Sequence, residues 1–329
     1  MQDKIEKLRS WCSEINFADA DLSSEEEDFR RQFNQAIIAL CRSLPPSTQT
    51  DAILFFTKYL VTPVGRELNF FRNYYAPAWS ILYWLIHMHP GDKLPDPEDI
   101  DNAVTAHAMA LLLHPLDDHL HDGQLPATHL TVLLRSQAWM IMNTALNQLI
   151  RGVENGEKIV REFVDSYYSS VDRSEGIRTL DDYCNMFRNQ MATWFIVPVL
   201  MTKKMATAES LARAIQKAYG SFGIAWRLLD DLRDIETDLR NGYHSAIFTC
   251  LPEHLQALWD KGGPGTGNGH VEPILDYIRQ HRIIDTISGR LCRELESAAA
   301  IADGCEMESL AIELRCLAGP LENLQNLVW

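Results

Sequence analysis

Apolar residues recur at i, i+3, i+4 and i+7 through nearly the whole chain, and that periodicity admits an α-helical fold and little else. It runs through residues 29–43, 102–120, 129–153, 156–170, 179–201, 208–240, 271–302 and 306–317. Alternating strand patterns joined by hairpin turns are missing. Asp122-Gly123 and Asn241-Gly242 each close a helical pattern, where glycine is a common stop. Pro45-Pro46 and the stretches 90–97, 123–126 and 262–270 punctuate the runs. The last, rich in glycine, reads as a mobile surface loop; it holds no GxxxxGK and so is not expected to cradle phosphate. No repeat and no linker divides the chain. The expectation is one all-α domain of about ten helices over 26–329, with 1–25 as a looser N-terminal arm.

Charge and cysteine usage narrow the function classes. The net charge of -15 argues against a nucleic-acid or anionic-membrane surface, since both require Lys/Arg patches. It does not argue against a phosphorylated substrate, because bound divalent cations invert the local charge of an acidic site. The seven cysteines are scattered, odd in number and without a CxxC pair, which fits a reducing compartment and no zinc site. The first residues carry no apolar signal core. The greasiest stretches, 76–86 and 193–201, fall short of the roughly 20 residues a bilayer span takes. A soluble, cytoplasmic protein is expected, with no stable membrane insertion.

Two acidic clusters stand out. The first, His114-Pro115-Leu116-Asp117-Asp118-His119-Leu120-His121-Asp122, closes an apolar helical run. Asp118 and Asp122 lie four residues apart and share a helix face, about 6 Å along the axis; Asp117 lies about 100° round from Asp118. The second cluster places Asp230, Asp234 and Asp238 on an i, i+4, i+8 stripe that continues another apolar run. Aspartate runs on helices are usually solvated faces. Here, however, both clusters terminate strongly apolar helices, and two such helices can face one cavity. Carboxylates on one stripe repel, more so when desolvated, and a hard cation with oxygen ligands offsets that repulsion. Mg²⁺ suits best, since it binds one or two carboxylates together with substrate phosphate oxygens. The four histidines 114, 119, 121 and 129 invite a zinc or di-iron reading, but the Glu-x-x-His pairs of bundle di-iron sites are absent.

Two aspartate-rich helices facing one cavity resemble the class I isoprenoid synthases, and the resemblance extends from about residue 70 to the C-terminus. The first cluster is similar to that superfamily's first aspartate-rich motif, with DDxxxD in place of DDxxD. His121 stands where the strict pattern ends in Asp, which favours the pair Asp118/Asp122, with Asp117 in support. The second cluster resembles three branches at once: DDxxD of chain-elongating synthases in Asp230-Asp231-Leu232-Arg233-Asp234, LRDVxxD of squalene and phytoene synthases in the residues that follow, and the metal-binding triad of terpene cyclases in its spacing. Residues 179–188 look like the helix that carries a diphosphate-sensing arginine in terpene cyclases. Asp238-Leu239-Arg240-Asn241-Gly242 resembles the DLxxGK of chain elongators, with Tyr243 at the lysine.

The resemblance implies Mg²⁺, three ions in number, held by Asp117, Asp118, Asp122, Asp230, Asp234 and Asp238, with Asp118 and Asp230 central to catalysis. It implies a prenyl diphosphate substrate bound by Arg188, foremost among the catalytic and diphosphate-binding residues, and by Arg240. Tyr74, Tyr75 and Trp226 are the candidate aromatic walls for a carbocation. A homodimer is common in proteins of this kind. The basic segments that hold a second, homoallylic diphosphate in chain elongators are missing: residues 71–77 have no GGKR, and Gly123-Gln124-Leu125-Pro126 replaces an Arg-Arg-Gly. The main expectation is therefore a terpene synthase that ionises one allylic diphosphate. The alternatives are a prenyltransferase, chain-elongating or head-to-head, and a non-catalytic binding or regulatory homologue.

Overall fold

The structure, a computed structural model, describes residues 15–59, 69–71, 74–88, 93–121, 123–171, 177–205, 209–262 and 271–321. Among these there are fifteen helices and no strand, so the fold is all-α. In chain order they are α1 (Ser24–Ser43), α2 (Pro46–Tyr59), α3 (Pro77–Met88), α4 (Pro97–His121), α5 (His129–Leu149), α6 (Gly156–Val171), α7 (Leu180–Gln190), α8 (Ala192–Met205), α9 (Glu209–Arg233), α10 (Ile235–Asn241), α11 (Ala246–Thr249), α12 (Glu253–Trp259), α13 (Val271–Gln280), α14 (Ile283–Gly304) and α15 (Glu308–Leu317). The glycine-rich stretch lies, from 263 on, outside the described residues, as does the arm before 15. The described part of the arm is held down: Ile15 and Phe17 are buried, and the Ala18 N–H donates to the Leu317 carbonyl.

The excess over about ten helices comes partly from breaks inside continuous apolar patterns. The run 179–201 divides at Met191, whose N–H still bonds back to Phe187. Met191 presses on α9 at Gly223, where a Cβ would come within 1.8 Å of its Cε, so the close approach requires glycine. The run 271–302 divides at Arg282, in the left-handed conformation at φ 52°. The run 208–240 divides at Asp234, the N-cap of α10, at φ -95° and ψ 6°. Across that last break the hydrogen bonds Asp234 N–H to Asp230 O and Asp238 N–H to Asp234 O persist. The i, i+4, i+8 phase of the aspartates therefore survives the break.

Helices α4 and α9, each of 25 residues, carry the two clusters at their C-terminal ends. Helix α9 lies against α14, α8, α7 and α3, and α4 against α5, α1, α8 and α3. Both are buried through their middle turns, with their exposed residues in the N-terminal parts and at the aspartate ends. Capping boxes start three of the helices that frame the site or its support: Ser23 with Glu26 for α1, Thr128 with Thr131 for α5, and Thr179 with Asp182 for α7. No described helix is long and apolar enough to cross a membrane.

Candidate active site

Pro115 sits inside α4, two residues before Asp117. It cannot donate to the Leu111 carbonyl, and its ring crowds that carbonyl. The Tyr74 hydroxyl takes the vacated acceptor at 2.9 Å, and Trp194 Nε1 donates to Ala110 O at 3.2 Å. The last turn of α4 is thus fixed by side chains from two other segments. Beyond it the Tyr59 hydroxyl bridges Pro115 O (3.2 Å) and His119 Nδ1 (2.7 Å).

The ends of α4 and α9 face one cavity of about 430 Å³. Asp117 and Asp118 line one wall, and Asp230, Asp231, Asp234 and Asp238 line the other. Asp122 lies outside the described residues. Among the described lining residues Arg227 is the only lysine or arginine, joined by the histidines 114, 119, 121 and 244.

The aspartates divide into two kinds. Asp117 is bonded on both oxygens: Arg135 of α5 donates Nε to Oδ1 (2.5 Å) and Nη2 to Oδ2 (3.1 Å), and the buried Tyr167 hydroxyl of α6 donates to Oδ2 (2.7 Å). Asp231 is buried and held by Arg227 (3.1 Å) and the Ala246 N–H (2.9 Å). It also pairs with Tyr183, whose hydroxyl accepts from Arg227 Nε at 2.7 Å. These two carboxylates brace the walls. Asp118, Asp230, Asp234 and Asp238 carry no such clamp. Burial raises the Asp238 carboxyl to about 8, reinforced by the charges of Asp231, Asp234 and Asp230. Burial first, and then Asp230, raise Asp234.

That donor set fits Mg²⁺. Several crowded carboxylates reluctant to ionise together are stabilised by a hard cation, whose binding displaces their protons. Among the described residues no three ligating side chains are drawn together at one point. This accords with Mg²⁺, which takes few carboxylates and completes its octahedron with water and phosphate oxygens. A pH prediction follows. The folded protein holds a proton on Asp238, and on Glu313, which sits half-buried between α3 and α15 and is raised to about 7, that the unfolded chain releases near pH 4. Metal-free stability should then fall as pH rises from 6.5 to 8. The buried His107, lowered to about 4, acts oppositely only below this window. Mg²⁺ should restore melting temperature most at pH 8, measurable by thermal scans with and without the metal.

Not all sequence-derived candidates reach the cavity. Arg188 does not line it: its Nη1 donates to Asn185 on its own helix (2.8 Å), and its Nε lies over Gly220 of α9. The cavity-facing positions of α7 are Tyr183, Met186 and Gln190, one face from which position 188 is rotated away. Arg240 is half exposed and ion-paired with Glu236, one turn earlier on the outer side of α10. Tyr74 seals the Pro115 kink, and Tyr75 bonds Asn16 in the N-terminal stretch. Trp226 packs beneath the cavity against Tyr74, Tyr75, Trp194 and Phe222, at ring separations of 5.4 to 6.0 Å. Arg227 is the cation that was missed. It stands three residues before Asp230 and four before Asp231, so the same helical spacing that marked the aspartates also marks it. Its guanidinium carbon lies 5.4 Å from the Phe187 ring centre.

No family model and no curated protein matches the sequence. Solved structures match over nearly the whole chain. A geranylgeranyl pyrophosphate synthase from Corynebacterium glutamicum is 15% identical, with a TM-score of 0.66 over 96% of this chain and 98% of that one. A polyprenyl synthetase from Streptomyces coelicolor is 16% identical, with a TM-score of 0.66 over 90% and 98%. The Corynebacterium enzyme in complex with isoprenyl diphosphate and magnesium matches at 14% identity and a TM-score of 0.54, over 90% and 99%. The likeness establishes the fold: this chain shares the all-α fold of these synthases.

Proposed function

We propose that the protein is a Mg²⁺-dependent enzyme that ionises an allylic prenyl diphosphate. The observation that carries this is the convergence of Asp118 and the Asp230/Asp234/Asp238 stripe on one cavity, with Arg227 the one arginine among the described lining residues. Mg²⁺ bound there would neutralise the diphosphate as a Lewis acid and orient it as a leaving group. Asp118, Asp230, Asp234 and Asp238 would hold the ions. Arg227 donates to the departing diphosphate from a position fixed through its Nε by Tyr183 and Asp231. Tyr183, Met186, Ile177 and Phe248 exclude water from the developing cation.

Two fates of the cation have separate support. Transfer to a second isoprenoid unit is favoured by the solved structures of the same fold, which are prenyl diphosphate synthases. Cyclisation or quenching is favoured by the cavity, which shows no cation beyond Arg227 for a second diphosphate among its described lysine and arginine residues. Incubation with C10 to C25 allylic diphosphates and Mg²⁺, with and without isopentenyl diphosphate, separates them: a longer diphosphate only when both are present marks transfer, and a hydrocarbon or alcohol from one substrate marks cyclisation or quenching. Arg227→Ala should lower kcat/KM about 10²- to 10³-fold. Arg188→Ala should stay within about threefold of wild type, since its guanidinium lies off the cavity.

A homodimer through α5 also fits. The only charged side chain of that helix, Arg135, turns inward to Asp117, while Val132 and Met140 lie on its exposed face. Sedimentation should return twice the 37.5 kDa chain mass, and Met140→Glu should shift it toward the monomer. None of the six described cysteines is in a disulfide, as suits a reducing, cytoplasmic setting.

A further inference from the structure

His114 lies one helical turn before Asp118 on the same face of α4, about 6 Å deeper along the axis. Of the histidines that line the cavity, it alone lies against two apolar rings. Its imidazole meets Phe187 edge-on at 5.7 Å and Trp194 at 5.1 Å. The Gln190 backbone lies beside the ring. His119 is bonded to Tyr59, His244 is bonded to Asp260 and stacked on Phe248, and His121 is exposed. If a diphosphate is gripped at the level of the aspartates, its carbon skeleton can only extend toward the apolar floor, and His114 is the first basic group it meets there.

We propose that His114 is the base that quenches the carbocation by taking its proton. The proposal rests on the allylic-ionisation reading above and applies to either fate of the cation. A C–H bond next to the cationic carbon breaks, and its electron pair becomes the new C=C bond. The proton passes to an imidazole nitrogen, and the imidazolium returns it to the diphosphate before release. Desolvation, aided by the Arg227 charge and opposed by Asp118, lowers the imidazole's proton affinity. The other candidate oxygens are unsuited: Asp117 and Asp231 are clamped, the Tyr183 hydroxyl is bonded to Arg227 and Asp231, and the remaining aspartates face the metal layer.

The test uses the full-length protein with Mg²⁺ and an allylic diphosphate, reading diphosphate release and proton-loss product separately. The substitution His114→Phe keeps ring packing and removes both nitrogens; His114→Asn keeps a polar side chain and guards against a folding defect in the first. In both variants diphosphate release should stay within about tenfold of wild type, while the product formed by proton loss falls about 10²-fold and water-captured alcohol rises. Wild-type proportions of the two products in either folded variant would overturn the role of His114. Absence of diphosphate release from the wild type would instead defeat the ionisation reading, and the two failures appear in different proteins.

Discussion

Asp230→Ala should reduce Mg²⁺-dependent turnover by about 10³-fold or more, equivalent to roughly 4 kcal/mol of transition-state stabilisation. It should at the same time leave the metal-free protein as stable as wild type, or more so. Asp230 opposes Asp231, Asp234 and Asp238 in a partly desolvated wall, and its charge is among the causes that raise all three carboxyls. Without a cation that crowding is a cost, and alanine relieves part of it. Asp118→Ala should behave alike from the facing wall. A residue kept for structure alone would show the reverse: lost stability and little specific effect on Mg²⁺ response. The check pairs melting temperature without metal with kcat at saturating Mg²⁺.

The adjacent residue should give the opposite pattern. Asp231→Ala should destabilise the protein by about 3–5 kcal/mol, because it leaves Arg227 without its buried partner and the Ala246 N–H without an acceptor. Asp231→Asn, which preserves an acceptor, should recover part of the loss. Activity should fall as well, since Arg227 is positioned through Asp231 and Tyr183. Chemical denaturation of the three proteins, Asp230→Ala, Asp231→Ala and Asp231→Asn, separates the two roles. If Asp230→Ala proves the less stable of the two alanine variants, the division of the second cluster into ligands and brace is wrong.

The helical class and the position of both clusters were legible because 3.6-residue periodicity records which face of each helix is buried. The breaks at Met191, Asp234 and Arg282 were not, since each lies within an unbroken apolar pattern and depends on tertiary contact, as Met191 does on Gly223. Asp117 and Asp118 are neighbours of the same residue type. What separates them is Arg135 and Tyr167, 18 and 50 residues away, which local spacing does not encode. Arg188 and Arg227 show the same limit from the other side. Arg188 drew attention through the helix it sits on, yet it turns away from the cavity. Arg227 lay in phase with Asp230 and Asp231 and could have been placed by extending the aspartate stripe one turn toward the N-terminus. Tyr74 was an expected cavity wall; its hydroxyl instead answers the carbonyl that Pro115 vacates, a relation between α4 and a segment 37 residues earlier.

The most direct measurement is release of inorganic diphosphate from matched allylic and saturated prenyl diphosphates, with Mg²⁺ present and then chelated. Ionisation requires the allylic cation, so release is expected from the allylic compound alone, only with Mg²⁺, and is expected to be lost in Asp118→Ala and Asp230→Ala. Equal release from the saturated analogue, or release that survives chelation, would contradict it.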